Sequence, residues 1–289
     1  MRQDVESRVN LLSRFTRRPG RTAAEATALV VAAVVAFPLY WMVLSAFEPA
    51  GEIRSGEPRP WTSAPTQDSF RRVFGQQDFG RYFLNSVVVA VAVVIASAFI
   101  AFLAATAVTR FRFRLRTTLL IMFLVAQMVP VEALTIPLSF VMRDLGQLNT
   151  LWSLILPHIA FSLPFAVWML RGFVKGVPEA LEEAAYMDGA SRTRFLWQIL
   201  FPLVLPGLVA TSVFSFISAW NDFLFAKSFI ISDISQSTLP MALLVFYKPD
   251  DPDWGGVMAA STVMTIPVLL FFVLVQRRPV SGLGGAVKD

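Results

Sequence analysis

The side chains able to do chemistry are few. The 289-residue chain has no Cys and one His, His158. Disulfides, thiolate zinc sites, iron–sulfur clusters and cysteine nucleophiles are therefore excluded, as is a two-His metal site within one chain. One carboxylate, Glu132, stands inside an otherwise uncharged run, flanked by Pro130 and Pro137. An acid in such a place faces a cavity, a partner or another subunit, or reaches out where the helix breaks. His158 follows Pro157 in the next uncharged run and reads either as a hydrogen-bonded packing residue or as a proton relay. Trp220, Asn221 and Asp222 close a later run; a ring beside an amide and a carboxylate suits sugar hydroxyls, and it equally suits a helix cap at an interface. No G-x-x-x-x-G-K-[ST], H-E-x-x-H or G-x-S-x-G occurs. The glycines at 282–285 follow an apolar run with no strand before them, the wrong context for a phosphate loop.

The elements that must position these residues are long and apolar. Hydrophobic residues make up 55% of the chain and charged ones 16%, with a mean hydropathy of +0.60. A soluble domain carries roughly a quarter charged residues, so polar surface cannot cover this chain as a globule. Uncharged runs occupy residues 26–47, 87–108, 151–170, 203–221 and 254–276, and 117–142 carries only Glu132. Each has the roughly 20 residues that a helix needs to cross a bilayer. The expectation is an all-α polytopic membrane protein with six transmembrane helices. The first run, at 22 residues, exceeds a cleavable signal's h-region and is expected to be a retained signal-anchor.

Lys and Arg divide unequally between alternate connections, 17 against 8, and the short second connection holds Arg110, Arg112, Arg114 and Arg116. The positive-inside rule then puts both termini in the cytoplasm. Trp41, Trp152 and Trp254 fall at outer run ends, where interfacial aromatics are common. Pro38, Pro130, Pro137, Pro157, Pro164, Pro206 and Pro267 lie within runs, four of them in the third and fourth. The middle of the bundle is expected to bend and to suit a cavity or a moving gate.

Residues 171–201 form a cytoplasmic connection of unusual length. Pro178 opens a helical pattern with Glu179, Glu182 and Glu183 in its first turns; Ala180, Ala184 and Ala185 give it a small-residue face. Gly189 breaks the pattern, and Ser191 can cap a second helix through Phe195, Leu196 and Ile199 to Pro202. Such a helix–Gly–helix unit with exposed charge suits a groove on another protein.

These residues resemble a known loop. Glu183-Ala184-Ala185, then Asp188-Gly189-Ala190, then Ile199, Phe201 and Pro202 are similar to the EAA loop of ABC-importer permeases, with Phe201 where that family commonly has Leu. Trp220-Asn221-Asp222-Phe223 and the tail from Gln276-Arg277-Arg278 to Lys288 resemble carbohydrate-importer permeases. The resemblance covers roughly residues 25–289 and fits the smaller, MalG-like permease of the maltose-importer type. It implies a type I fold in a bacterial inner membrane. Partners would be a second homologous permease, two cytoplasmic ATPases that hold the ATP and Mg, an extracytoplasmic solute-binding protein and lipid, without nucleic acid. The cargo would be a sugar or related polyol, and this chain would bind no cofactor and catalyse nothing.

On this reading the permease domain is 26–276, between cytoplasmic tails 1–25 and 277–289, with the coupling loop at about 171–202 and an outer loop at about 232–254. ATPase coupling would fall to Glu183, Ala184, Ala185, Asp188, Gly189, Ile199 and Pro202. The path would be lined by Gln127, Glu132, Trp220, Asn221 and Asp222. The binding protein would touch Tyr247, Lys248, Asp250, Asp251, Asp253 and Trp254. The rival is a proton-coupled secondary transporter using Glu132 or His158, although no self-similarity joins the first three runs to the last three.

Overall fold

Every regular element among the described residues (19–54, 59–75, 78–247 and 249–276) of the computed structural model is helical. In chain order they are α1 (Pro19–Phe47), α2 (Ala50–Arg54), α3 (Asp68–Gly75), α4 (Phe79–Arg110), α5 (Arg116–Gln127), α6 (Val131–Asp144), α7 (Trp152–Gly176), α8 (Glu179–Met187), α9 (Arg192–Trp220), α10 (Leu224–Phe229), a 3-10 turn (Ile234–Gln236), α11 (Leu239–Phe246) and α12 (Trp254–Gln276). Five of them, α1, α4, α7, α9 and α12, are long and apolar enough to cross a membrane; α5 and α6 together make a sixth candidate, bent by 102°. The tails before residue 19 and after 276 lie outside the described residues.

The bend meets the expectation that the proline-rich middle of the bundle is not straight, and it divides the run 117–142 into two helices. Residues 128–130 separate α5 from α6, and Pro130 is extended at the N-cap of α6. Proline supplies no backbone donor, and it restricts the residue before it to extended conformations. Pro157 and Pro164, by contrast, are both accommodated inside an unbroken α7. Burial does not decide the difference: both α7 prolines are buried among packed helices, yet Pro137 is exposed like Pro130 and lies inside an unbroken α6.

The helices α4, α7 and α9 form the central triad, with α12 against α9, α1 and α3, and α5 against α7. In lipid, close packing rather than hydrophobic expulsion holds helices together, so small residues mark the seams. Ala90, Ala101, Ala105 and Ala166 are fully buried. At Gly207 a Cβ would lie 2.5 Å from the Phe173 ring, so glycine is what lets α9 approach α7. Two apolar clusters result. One, at the end holding α10 and α11, contains Leu154, Phe216, Trp220, Phe225, Phe229 and Leu239. The other, at the α8 end, contains Phe102, Val167, Leu170, Ala185, Phe195 and Leu200. The membrane-length window of α1 buries nothing inside the chain.

The second helix of the 171–201 connection was expected to stop at Pro202. Instead it runs into the following span as one helix, α9. Residues Phe195–Leu200 form a π-helix, in which the Phe201 N–H reaches back to the Leu196 carbonyl. That wider turn precedes Pro202, whose ring would crowd the carbonyl four residues back in an ordinary α-helix.

Candidate functional site

The best-formed polar assembly is built where α4, α7 and α8 meet. After α7, Val177 and Pro178 are extended, which turns the chain into α8. Asp188 caps the far end of α8, and Gly189 follows at φ +79°. The Gly189 N–H donates to the Tyr186 carbonyl (3.0 Å) and the Ala190 N–H to the Ala185 carbonyl (2.9 Å). This bond pair is the Schellman arrangement, which wants a left-handed residue at the glycine. Space around Gly189 is open, so its requirement is one of backbone conformation rather than of room. Ser191 then accepts from the Arg194 N–H (3.2 Å) and starts α9.

Of the predicted coupling residues, Glu183, Ala184, Asp188, Gly189 and Pro202 are exposed and Ile199 is half-buried. Ala185 is buried in the chain's own core, so the small-residue face divides: Ala180 and Ala184 face outward, while Ala185 packs inward.

Sequence reasoning counted Arg110 only as a basic charge. Its side chain, at the last residue of α4, is 7% exposed. Nη2 donates to the carbonyls of Val177 (2.8 Å) and Val174 (3.3 Å), Nε lies 3.2 Å from the Glu182 carboxylate, and Nη1 lies 3.9 Å from that of Glu179. One guanidinium thus ties α4, the end of α7 and the first turn of α8. Tyr186 donates to Glu182 (2.9 Å); burial, followed by that bond, pushes its phenol above the usual range.

The predicted path residues do not gather. Gln127 and Glu132 are both exposed, on either side of the break between α5 and α6. Asn221 is exposed at the end of α9. Trp220 is 1% exposed, stacked on Phe216, edge-on to Phe83, and bonded through Nε1 to the Met264 carbonyl (3.1 Å). Those bonds make it core in this conformation rather than a lining residue. Asp222 is also largely enclosed. It accepts from the N–H groups of Phe225 and Ala226 (both 3.1 Å), capping α10, and its Oδ2 lies 3.5 Å from His158 Nε2. The lone His therefore faces a carboxylate, and its ring lies 5.4 Å from that of Phe225.

The far end is knotted by polar residues the sequence did not single out. Asn85 donates to the carbonyls of Ser235 (2.9 Å) and Ser237 (2.8 Å). Asn149, at φ +60°, accepts from the N–H groups of Ile231 (2.7 Å) and Ser232 (2.8 Å). Of the residues expected to touch a binding protein, Tyr247, Asp250, Asp251 and Trp254 are exposed, and Lys248 lies outside the described residues. Asp253 has a different duty. It holds Arg72 through two hydrogen bonds (2.9 and 3.0 Å) and accepts from the Gly256 N–H (3.0 Å), joining α3 to the start of α12.

Residues 97–279 match the family described as binding-protein-dependent transport system inner membrane component. The chain is 39% identical over 270 residues to the diacetylchitobiose uptake system permease protein DasC of Streptomyces coelicolor, covering 93% of this chain and 98% of that one. It is 34% identical over 265 residues to the trehalose/maltose transport system permease protein MalG of Thermococcus litoralis, covering 90% and 94%. Its fold is similar to that in the crystal structure of a bacterial ABC transporter involved in the import of the acidic polysaccharide alginate. There the TM-score is 0.77 at 20% identity, over 91% of this chain and 99% of that one.

Proposed function

The chain belongs to the family of binding-protein-dependent transport inner membrane components, and from that premise we propose that it carries a sugar or related polyol across a bacterial inner membrane as half of a two-permease path. As a family member it is a multi-pass permease of an ATP-driven importer, and the proton-coupled alternative through Glu132 or His158 has no support. The carbohydrate class is drawn from the names of relatives of near full-length similarity, one for diacetylchitobiose and one for trehalose and maltose.

In this reading α8 is the docking helix for a cytoplasmic ATPase, which holds the ATP and Mg. The observation that carries it is the exposed Glu183–Ala184 and Asp188–Gly189 surface on a helix held to α4 and α7 by Arg110. A helix free on one face and pinned at its first turn can pass a tilt to the bundle. ATP binding then shifts a population between inward- and outward-open states rather than pushing on the cargo. The basic 110–116 connection and α8 lie on the cytoplasmic side by charge, as do both termini, and α10, α11 and the 247–254 loop lie outside, where a solute-binding protein docks on Tyr247, Asp250, Asp251 and Trp254.

Glu132, Gln127 and Asn221 are the path residues the geometry supports best. They are polar, exposed and on or beside apolar helices, and such groups must meet water, cargo or a second permease. Trp220 and Asp222 support the path from behind by fixing α9 and α10. The test is uptake of labelled disaccharide by vesicles holding both permeases, the ATPases and the binding protein. Uptake that requires ATP and the binding protein and disappears without this chain is expected. Uptake driven by a proton gradient alone contradicts the reading.

A further inference from the structure

A groove of about 400 Å³ runs between α5 and α7, lined by Arg116, Leu120, Ile121, Leu124, Trp168 and Arg171 along with Thr117. Only Arg116 is shared with the cavity beside α8, which Glu179, Glu182 and Glu183 also line; the rest of the groove is separate from it and from the outer loop. The groove's chemistry is graded along its length. Arg116 opens α5, and Leu124 stands eight residues further, a rise of about 12 Å at 1.5 Å per residue. A hydrocarbon leaflet is about 15 Å deep, half of a roughly 30 Å core, so the charged end and the apolar wall lie at different depths of one leaflet.

Arg116 borders the acids of α8 on its other side, whereas Arg171 has no acid among the groove residues. No Asp or Glu is among the lining residues. Arg171 Nε is enclosed yet makes no hydrogen bond among the described residues. An enclosed donor left without an acceptor is costly, and native proteins rarely leave one. The apolar wall is open too: Ile121 is 54%, Leu124 47% and Trp168 45% exposed. Basic pockets between membrane helices on the cytoplasmic side are suited to anionic headgroups. Arg116 and Arg171 answer a phosphate, and the Leu120–Ile121–Leu124 face with Trp168 answers an acyl chain.

We propose that this groove is a binding site for one anionic phospholipid, its phosphate held by Arg116 and Arg171 and its chain laid along α5 and α7. A soluble anion accounts for the arginines and leaves the apolar wall uncovered. An acidic segment of a partner subunit has the same difficulty. The site rests on the chain being in a membrane; Arg171 and the apolar wall belong to the groove and not to the cavity beside α8, so the lipid reading and the coupling reading of α8 fail separately through Arg171.

The test is lipid retention by the purified permease with its partner subunits, followed by native mass spectrometry. Phosphatidylglycerol and phosphatidylcholine of matched chains compete on the unaltered protein, so the first result needs no variant. One phosphatidylglycerol is expected to be retained, with phosphatidylcholine at least tenfold weaker. Arg116→Gln and Arg171→Gln should each weaken retention about fivefold, and Arg171→Lys should keep the preference for phosphatidylglycerol. Millimolar inorganic phosphate should not displace the lipid. Equal retention of the two lipids overturns the proposal. So does displacement by inorganic phosphate alone, full retention by both Gln variants, or a cross-link from position 171 to an acidic segment of a partner subunit with no lipid retained.

Discussion

Gly189 separates backbone strain from docking, because its left-handed φ of +79° coexists with open space where a side chain would go. Replacing it by Ala costs about 1–2 kcal/mol, the usual penalty for an L-residue in that region. The native turn at the end of α8 is thereby disfavoured, relative to its alternatives, about 5- to 30-fold more than with Gly. Asn tolerates the same conformation better, so Gly189→Asn should cost less than Gly189→Ala. A Cβ at Gly189 meets nothing within 4 Å, so Gly189→Trp should match Ala in the stability of the isolated permease. In the assembled transporter the three should diverge. If the ATPase docks on α8 as proposed, Trp fills the space it needs, and transport per ATP hydrolysed should fall well below that of the Ala variant. The assay is paired: thermal unfolding of the permease in detergent, and the ratio of uptake to ATPase activity in reconstituted vesicles. If the Trp variant transports as well per ATP as the Ala variant, the exposed end of α8 is not a docking surface.

Arg110→Gln should lower the melting temperature by removing a buried charge that serves three elements, and Arg110→Gln with Glu182→Gln should recover part of the loss, read by thermal unfolding of both variants. At the outer loop, Asp253→Asn should destabilise the chain through the Arg72 contact, whereas Tyr247→Ala with Asp250→Asn should leave folding intact and reduce binding-protein-stimulated ATPase activity. Glu132→Ala and Asn221→Ala should change the profile of transported sugars at normal yield; an unchanged profile with reduced yield would make both residues structural.

The spans were legible because charge is expensive in hydrocarbon, and its absence over 20 residues is a strong pattern. The bend in the middle of the bundle was legible from its prolines, but which of them would break a helix was not. Pro130, Pro137, Pro157 and Pro164 look alike in sequence, yet of the four only Pro130 stands at a helix N-cap, and the others are accommodated inside α6 and α7. The turn at Gly189 was readable from a glycine between a capped acidic helix and Ser191, since both caps depend on local backbone geometry. Charge counting summed Arg110 with Arg112, Arg114 and Arg116, but burial of one among four is a tertiary fact. Trp220 and Asp222 show the limit of reading polar punctuation. Their types suit a ligand, yet a carbonyl on α12 and two N–H groups of α10 take those same hydrogen bonds.

The central claim is that α8 passes the ATPase state to the path through its attachment at Arg110. A spin label at Asp188 and another at Met128, in the break between α5 and α6, report both ends in the assembled transporter. The account predicts that the distance between the two labels changes on adding ATP with the binding protein and sugar, and that Arg110→Gln abolishes the change while ATP still binds. An unaltered distance change in Arg110→Gln would contradict it.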